Sequence, residues 1–332
     1  MIWVQFVFSA VIIVMAATRL AGYGDVIALR TGLGGMFVGT LLLAGATSLP
    51  ELLTGINAIE QGIPNLTVGN VFGSSMFNMF LLAALDLTYW RRHILRRLSV
   101  AHALSAGVAV ALTGLAIFFI MAQIDIKIGW VGLDSLAMMV AYIGTTRVMF
   151  GGNAAEAAPE PEIPEGVQRL STALLGFGGA TLMLVLITPL LVSSSADIAK
   201  KTGLSAGFVG IALVAVVTSL PEVITTISAA RMGAYDLAAG NLFGSNIFNI
   251  FALGLTDVFY TEGRFLEAIS SEMVLAGIVA LLLTHVALLG NLIRNLVSGK
   301  QNRRLIIELD AVLIILGYLI GMWLIYDRGL IG

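Results

Sequence analysis

The sequence predicts an all-α polytopic membrane protein with ten transmembrane helices, arranged as two inverted five-helix repeats. Three observations support this prediction: the composition, ten apolar runs of membrane-spanning length, and a long internal duplication. Of the 332 residues, 58% are hydrophobic and only 11% are charged, whereas soluble domains carry roughly 25% charged residues. So few charges cannot cover the surface of a soluble protein of this size.

Ten apolar runs are long enough to cross a bilayer, which takes roughly 20 residues as a helix. The first run lacks the basic start and the cleavage site of a signal peptide, so it is interpreted as a membrane helix. Residues 150–169 are rich in Ala, Pro and Glu and predict a short linker between a first repeat, 1–149, and a second, 170–332. The expected spans are 2–20, 33–60, 66–89, 98–121, 127–148, 170–194, 204–230, 237–260, 267–290 and 305–326.

The duplication follows from the spacing of identical residues. Residues 31–86 match residues 202–257 without a gap, with about half of the positions identical, so each residue of the first copy has a counterpart 171 positions later. Because each half holds five spans, an odd number, the second half must be inverted relative to the first. Inverted repeats are typical of secondary transporters, whose substrate site lies at the midplane between the repeats.

The basic residues predict the orientation. Thirteen of the 18 Lys and Arg residues fall on the side reached after the first span, which the positive-inside rule makes cytoplasmic. Both termini are then extracytoplasmic, the 150–169 linker is cytoplasmic, and we expect the chain in the lipid bilayer of the inner membrane. The net charge of −2 argues against a nucleic-acid partner. The oligomeric state stays open, and a monomer fits the sequence.

The motif "TSLPE" interrupts an apolar run in each copy, at 47–51 and 218–222. A glutamate at the centre of a span costs roughly 2.5–3.5 kcal/mol on insertion scales, and a proline there removes a backbone donor. The resulting kink would gather carbonyl, hydroxyl and carboxylate oxygens, which hard cations prefer as ligands. A purely structural kink with a protonated glutamate is the alternative, but two symmetric copies favour a cation site. The residues on this helical stripe are Ala44, Thr47, Ser48 and Glu51, and Ala215, Thr218, Ser219 and Glu222.

A second motif follows in each copy: "GNVFGSSMFNMF" at 69–80 and "GNLFGSNIFNIF" at 240–251. Its glycines have the four-residue spacing that lets membrane helices approach closely, and packing is their expected role. Ser74 and Asn78 lie one turn apart on one helical face, as do Ser245 and Asn249. These four side chains are predicted to supply uncharged oxygens to the cation site.

Together, the two motifs resemble the α-repeats of the sodium/calcium exchanger family, within the wider cation/calcium antiporter superfamily. The resemblance rests on about 110 residues in the two repeat cores. It implies exchange of Na⁺ for Ca²⁺ by alternating access, without a cofactor, with the first and sixth spans moving against the core. It also implies that Glu51 and Glu222 are the central carboxylates and that the backbone carbonyls of Thr47 and Thr218 join them around Ca²⁺.

The same resemblance implies two sodium positions and a middle position. Ala44, Ser74 and Ser219 would line the first sodium position. Ala215, Thr218 and Ser245 would line the second, and Asn78 and Asn249 the middle. Asn249 stands where some potassium-dependent relatives carry aspartate, which argues against potassium dependence and leaves two carboxylates at the centre.

Several alternatives remain at this stage. A proton/calcium antiporter could use the same fold, with Glu51 and Glu222 exchanging protons, and a non-exchanging cation sensor or channel is a further possibility. An enzyme is not expected, because the sequence shows no nucleophile–base pair and no phosphate-binding loop. Asp86 and Asp257 are expected near opposite membrane surfaces, either drawing in cations or serving as helix-end residues.

Overall fold

Helices make up most of the computed structural model, which describes residues 1–31, 44–88, 101–151, 167–296 and 303–329. Residues 44–47 are also helical and lead into α2. The helices are α1 Ile2–Arg30, α2 Leu49–Glu60, α3 Pro64–Thr88, α4 Ala101–Ala122, α5 Leu133–Gly151, α6 Leu170–Thr202, α7 Ala206–Thr218, α8 Leu220–Arg231, α9 Tyr235–Thr256, α10 Ser271–Leu296 and α11 Arg303–Gly329.

Seven helices of the described chain are long and apolar enough to cross a membrane: α1, α3, α4, α6, α9, α10 and α11. The pair α7–α8 forms an eighth candidate span, which is bent by 45° between Thr218 and Leu220. The expected second span begins among residues 32–43, which lie outside the described residues, and ends as α2. A mostly helical architecture with several helices long enough to span a membrane is therefore confirmed, whereas the count of ten spans in two inverted repeats stays a prediction.

The expected fifth span, 127–148, is wrong at its start. Lys127–Ile128 (β1) and Val131–Gly132 (β2) form an antiparallel two-stranded hairpin, and α5 begins only at Leu133. The two-residue turn holds Gly129 at φ 69°, a conformation that glycine adopts without steric cost. Residues 126, 128 and 131 of this segment are apolar, so its composition resembles that of a membrane helix although its backbone is extended.

The helices α1 and α6 are longer than the sequence indicated. We expected the first and sixth spans to end at residues 20 and 194, but the helices continue to Arg30 and Thr202. Charged residues such as Asp25, Asp197, Lys200 and Lys201 mark the ends of the apolar runs. The segments 21–30 and 195–202 contain no proline, so nothing in them ends the helix where the apolar run ends. The two helices make the most extensive helix–helix contact of the described chain, and the ring of Tyr23 lies directly over Gly176.

The buried apolar side chains form two separate clusters. The larger lies among α3, α4, α9, α10 and α11. The smaller joins α1 and α6 to residues of the glutamate-bearing helices, including Ala46, Ala58, Val214 and Val217. The α1–α6 pair therefore packs on its own apolar layer beside the helices that carry the "TSLPE" motifs.

Helix α3 passes through the centre of the protein, and its glycines permit the close contact with α7. Gly69 lies against the backbone carbonyl of Gly207. A Cβ at Gly73 would lie 2.7 Å from Cα of Ile211 and 2.8 Å from Cβ of Ala215, which is closer than real side chains approach. The packing role predicted for the glycines is confirmed for these two.

Candidate functional site

Both copies of "TSLPE" interrupt their helix at the serine. Ser48 has φ −90° and ψ 7°, and Ser219 has φ −85° and ψ 1°, so the two breaks have nearly the same geometry. A new helix begins after each break with proline in its first turn, where a missing N–H group is tolerated. The glutamate lies in the same turn, at the positive end of the helix dipole. The predicted kink is thus a helix start that holds a carboxylate.

Glu51 is buried and receives hydrogen bonds from both copies. Its Oε1 accepts from Ser219 Oγ at 3.2 Å and from Ser74 Oγ at 3.5 Å. Ser74 belongs to the first copy and Ser219 to the second. The carboxylate of the first repeat is therefore held partly by the helix break of the other repeat.

Glu222 has the matching arrangement. Its Oε1 accepts from Ser48 Oγ and from Ser245 Oγ, both at 3.1 Å. These serines are the counterparts of the pair that binds Glu51, and their Oγ atoms lie 2.5 Å apart. Because two hydroxyls carry two protons, the serines can donate only two of these three hydrogen bonds at a time. The two glutamates and four serines therefore form one polar centre, to which both repeats contribute.

Asn78 and Asn249 lie one helical turn beyond Ser74 and Ser245, and their hydrogen bonds go to two residues outside the predicted set. Asn78 Nδ2 donates to Asn246 Oδ1 at 2.9 Å, and Asn249 Nδ2 donates to Ser75 Oγ at 3.5 Å. Asn246 Nδ2 also reaches the backbone oxygen of Ser75 at 3.4 Å. Ser75 and Asn246 are counterparts 171 residues apart, so the repeat register alone could have identified them.

Four buried oxygens of this centre have no hydrogen-bond partner among the described residues. They are Oε2 of Glu51, Oε2 of Glu222, Oδ1 of Asn78 and Oδ1 of Asn249. A buried acceptor without a partner is costly, and a buried carboxylate oxygen is more so. Two carboxylate oxygens and two amide oxygens that receive no hydrogen bond match the ligand chemistry of a hard cation.

The threonine hydroxyls of the two stripes both lie near carbonyls of their own helix. Thr47 Oγ1 donates to the Ala44 carbonyl at 3.2 Å, and Thr218 Oγ1 lies 3.1 Å from the Val214 carbonyl and 3.3 Å from that of Ala215. Both are internal helix contacts just before the break. All twelve predicted site residues are buried: Ala44, Thr47, Ser48, Glu51, Ser74, Asn78, Ala215, Thr218, Ser219, Glu222, Ser245 and Asn249.

Asn70 is a further residue that the predicted site omitted. Its Oδ1 accepts from Thr218 Oγ1 at 3.0 Å, and its Nδ2 donates to the backbone oxygen of Glu51 at 3.3 Å. It therefore joins the first glutamate helix to the helix break of the second copy. Asn70 follows Gly69 in the second motif, and its match with Asn241 in the repeat register is the sequence signal that could have identified it.

Neither aspartate expected near the membrane surfaces lies open to solvent, since Asp86 and Asp257 are 5% and 1% exposed. Asp257 Oδ2 accepts from the backbone N–H of Gly132 at 2.8 Å, which fastens the β1–β2 hairpin to the end of α9. The helix-end role is thus the one that its contacts support.

Comparison with known proteins finds similar proteins over most of the chain. A family model described as sodium/calcium exchanger protein matches residues 1–151 and 172–326. The chain is also 29% identical over 273 residues to the sodium/calcium exchanger MaX1 of Methanosarcina acetivorans, covering 70% of this chain and 76% of that protein.

Solved structures share the fold. A structure of the H⁺/Ca²⁺ exchanger CAX has a TM-score of 0.68 and 13% identity, covering 99% of this chain and 89% of that one. A structure of the sodium-calcium exchanger NCX_Mj has a TM-score of 0.61 and 21% identity, covering 97% and 99%. At these identities the likeness shows the fold alone.

Proposed function

Because the chain belongs to the sodium/calcium exchanger protein family, we propose that this cation/calcium antiporter uses Na⁺ as the driving ion, exchanging Na⁺ for Ca²⁺ at a single site shared by its two repeats. The observation that carries the proposal is the set of four partnerless buried oxygens on Glu51, Glu222, Asn78 and Asn249. Each pair of counterparts contributes equally, as one ion bound between two related halves requires.

The proposed calcium position lies between the two carboxylates. Glu51 and Glu222 supply Oε2, and the carbonyls of Thr47 and Thr218 complete the position beside the helix breaks. Ca²⁺ takes six to eight oxygen ligands in flexible geometry, so carbonyl and amide oxygens are needed beyond the carboxylates. The serines hold Oε1 of each glutamate and thereby fix the direction of Oε2.

The sodium positions flank this centre. We assign Ala44, Ser74 and Ser219 to one position through carbonyl and hydroxyl oxygens. Ala215, Thr218 and Ser245 form the other, by the symmetry of the repeats. Asn78 and Asn249 then line the middle, where they separate the two.

Charge balance explains why the exchange would be coupled. With both glutamates ionised, the empty site carries a charge near −2 in a region where charges are costly. One Ca²⁺ or two Na⁺ would neutralise that charge. Loaded forms would therefore cross between the two membrane sides more readily than the empty form, and the two ions would compete for one carrier.

The proposal includes ten spans in two inverted repeats, and helix directions support it. Gly69 contacts Gly207 and Gly73 contacts Ile211, so α3 and α7 run in parallel. The bent helix α8 continues in the general direction of α7, at 45° to it. The second glutamate helix, α8, therefore runs in the same general direction as α3.

The first glutamate helix, α2, runs antiparallel to α3. Asn70 bonds to the backbone oxygen of Glu51, whereas the earlier Thr67 bonds to that of the later Gly55. Consequently α2 and α8, which are counterparts in the two copies, run in opposite directions. Inverted repeats of this kind allow alternating access by rocking one helix group against another, and the separately packed α1–α6 pair is the proposed moving group.

We further propose an inner-membrane location with both termini outside and the 150–169 linker inside. This orientation rests on the 13 of 18 basic residues assigned to the cytoplasmic side and on the positive-inside rule. Residues 152–166 of that linker lie outside the described residues.

A proton/calcium antiporter is the second candidate function. The observation that favours it is that each partnerless carboxylate oxygen, on Glu51 and on Glu222, could bind a proton instead of facing a cation. In that case two protons would take the place of two Na⁺ in the charge balance.

Reconstituted vesicles can separate these functions. We expect ⁴⁵Ca²⁺ uptake to require an opposed Na⁺ gradient at fixed pH, with K⁺ in place of Na⁺ as the control. Uptake driven equally by a pH gradient without Na⁺ would establish the proton-coupled alternative. Uptake that needs no opposed gradient would identify a channel, and calcium binding without any flux would identify a sensor.

A further inference from the structure

Asn70 and Asn241 occupy equivalent positions in the two copies, 171 residues apart, yet they make different hydrogen bonds. Asn70 joins the two repeats: its Oδ1 accepts from Thr218 Oγ1 of the second copy, and its Nδ2 donates to the backbone oxygen of Glu51 in the first. Asn241 stays within its own copy, where its Nδ2 donates to Thr225 Oγ1 at 2.9 Å and to Thr226 Oγ1 at 3.1 Å. Two identical side chains in matching positions thus serve as a bridge in one copy and not in the other.

Each unequal bond leaves one buried polar atom without a partner among the described residues. Asn241 Oδ1, which corresponds to the atom of Asn70 that binds Thr218, has no partner. Thr54 Oγ1, the counterpart of the Thr225 hydroxyl, also has none, although Thr54 is completely buried. These two atoms are the ones that would gain partners if the two copies exchanged their arrangements. In that exchanged form, Asn70 would donate to Thr54 and Asn241 would accept from Thr47.

The two ends of the bundle differ in the same sense. At the end near residues 61–63, Asn57 Nδ2 donates to Thr188 Oγ1 of α6 at 2.9 Å, and Leu53 is half-buried. At the end near residues 232–234, the counterparts of these residues are uncovered: Ser228 is exposed and Ile224 is 40% exposed. The end that is packed against α6 is the one where Asn70 makes its bridge.

We infer that Asn70 and Asn241 are positioning residues that form an alternating latch, which rests on the proposed inverted-repeat antiport. In the described arrangement, the Asn70 bridge holds the end near residues 61–63 closed, while Asn241 donates to Thr225 and Thr226 of its own copy. In the opposite arrangement, Asn241 accepts from Thr47 and holds the end near residues 232–234 closed, while Asn70 donates to Thr54 of its own copy. An amide suits this role because it offers a donor and an acceptor and carries no charge that would compete for the cation.

Two threonine variants test the latch from opposite sides. Thr54→Val removes a bond made only in the exchanged arrangement, and Thr225→Val removes one made only in the described arrangement. Valine keeps the shape of threonine, and neither residue belongs to the cation site. Thr54→Ser and Thr225→Ser, which keep the hydroxyl, are the matched controls.

The readout exploits the absence of cysteine from the chain. Single reporters, Leu53→Cys at one end and Ser228→Cys at the other, are labelled in proteoliposomes with a small water-soluble thiol reagent. The ratio of the Ser228→Cys rate to the Leu53→Cys rate measures the balance of the two arrangements, whichever of them predominates. It should rise about fivefold with Thr54→Val and fall about fivefold with Thr225→Val, since one net hydrogen bond corresponds to roughly a fivefold change.

The double variant should restore the ratio of the parent, and the serine controls should leave it unchanged. Shifts in the same direction, no shift, or reporters that never react at one end would each overturn the latch. The proposed exchange is tested separately by calcium flux in the cysteine-free chain. Normal flux with an unchanged ratio would refute the latch alone, whereas absent flux would refute the exchange.

Discussion

The two repeats make matching hydrogen bonds at Glu51 and Glu222 but different ones at Asn70 and Asn241, one helical turn before Ser74 and Ser245. Around Glu51 and Glu222, each carboxylate accepts bonds from one serine of its own copy and one of the other, at 3.1–3.5 Å. At Asn70 and Asn241, by contrast, one side chain bridges the copies and the other does not. The symmetric part fits the ion, which has to meet the same ligands from either side. The asymmetric part fits the arrangement of the protein at one stage of transport.

One sequence difference between the copies favours the described arrangement over the exchanged one. Asn241 has two hydroxyl partners, Thr225 and Thr226, whereas the counterpart of Thr226 is Gly55. A Cβ at Gly55 would lie 3.1 Å from methyl groups of both Thr67 and Thr256, so a larger residue fits poorly there. Asn70 would thus have fewer partners in the exchanged arrangement, and the described one is favoured.

The largest expected effect comes from removing either charge of the symmetric centre. Glu51→Gln and Glu222→Gln should each reduce sodium-driven ⁴⁵Ca²⁺ uptake by about a hundredfold or more, since loss of one buried charge partner costs roughly 3–5 kcal/mol. The two losses should be equal because the two environments match. Unimpaired uptake by either variant would remove that residue from the site.

The serines that cross between the copies should have the next largest effect. Ser48→Ala and Ser219→Ala each remove a hydrogen bond to the carboxylate of the other repeat, and such bonds contribute roughly 1.5–3 kcal/mol. Calcium affinity, measured by competition with ⁴⁵Ca²⁺, should weaken about tenfold in both. The two losses should be similar, because Ser245 keeps its contact with Glu222 in Ser48→Ala and Ser74 keeps its contact with Glu51 in Ser219→Ala. Equal wild-type affinity in both variants would argue that the serines only pack.

Most side chains of this centre could be predicted from the sequence, but the role of Asn70 could not. The repeat register and the cost of a buried acid identify Glu51 and Glu222, and one helical turn identifies Ser74 and Ser245. The same reasoning misses Asn70 because its role depends on a contact between the copies, which no spacing within one copy encodes.

The fold shows the same limit. Apolar runs predict most of the membrane helices, since burial in lipid needs little else. They misplace the start of the fifth span, where a glycine turn at Gly129 forms a hairpin from apolar residues. They also end the first and sixth spans too early, because α1 continues past Asp25 to Arg30 and α6 continues past Asp197 to Thr202.

Glycine packing gives a test of stability in which the copies should differ. Gly69→Ala would press a methyl group into the Gly207 carbonyl and should destabilise the protein by roughly 1–3 kcal/mol, as overpacking does. The counterpart Gly240→Ala would meet only His102, at 3.5 Å, and should be neutral. Thermal unfolding in detergent measures both, and a loss of equal size at the two positions would contradict the described packing.

The smallest effect is expected from the hydroxyl that biases the latch. Thr226→Ala removes the second partner of Asn241 and should shift the ratio of the Ser228→Cys and Leu53→Cys labelling rates by about fivefold or less towards the exchanged arrangement. Thr226→Ser is the control and should leave the ratio at the parent value. A shift in the other direction would mean that Thr226 does not stabilise the described arrangement.

The central claim is that two glutamates from two repeats form one calcium site. Calorimetric titration of Ca²⁺ into the sodium-free protein in detergent tests it most directly, with Glu51→Gln and Glu222→Gln measured beside the parent. The account predicts one Ca²⁺ per chain in the parent and a loss of affinity of about a hundredfold or more in each single variant. Two independent calcium sites in the parent, or one site with unchanged affinity in either variant, would contradict it.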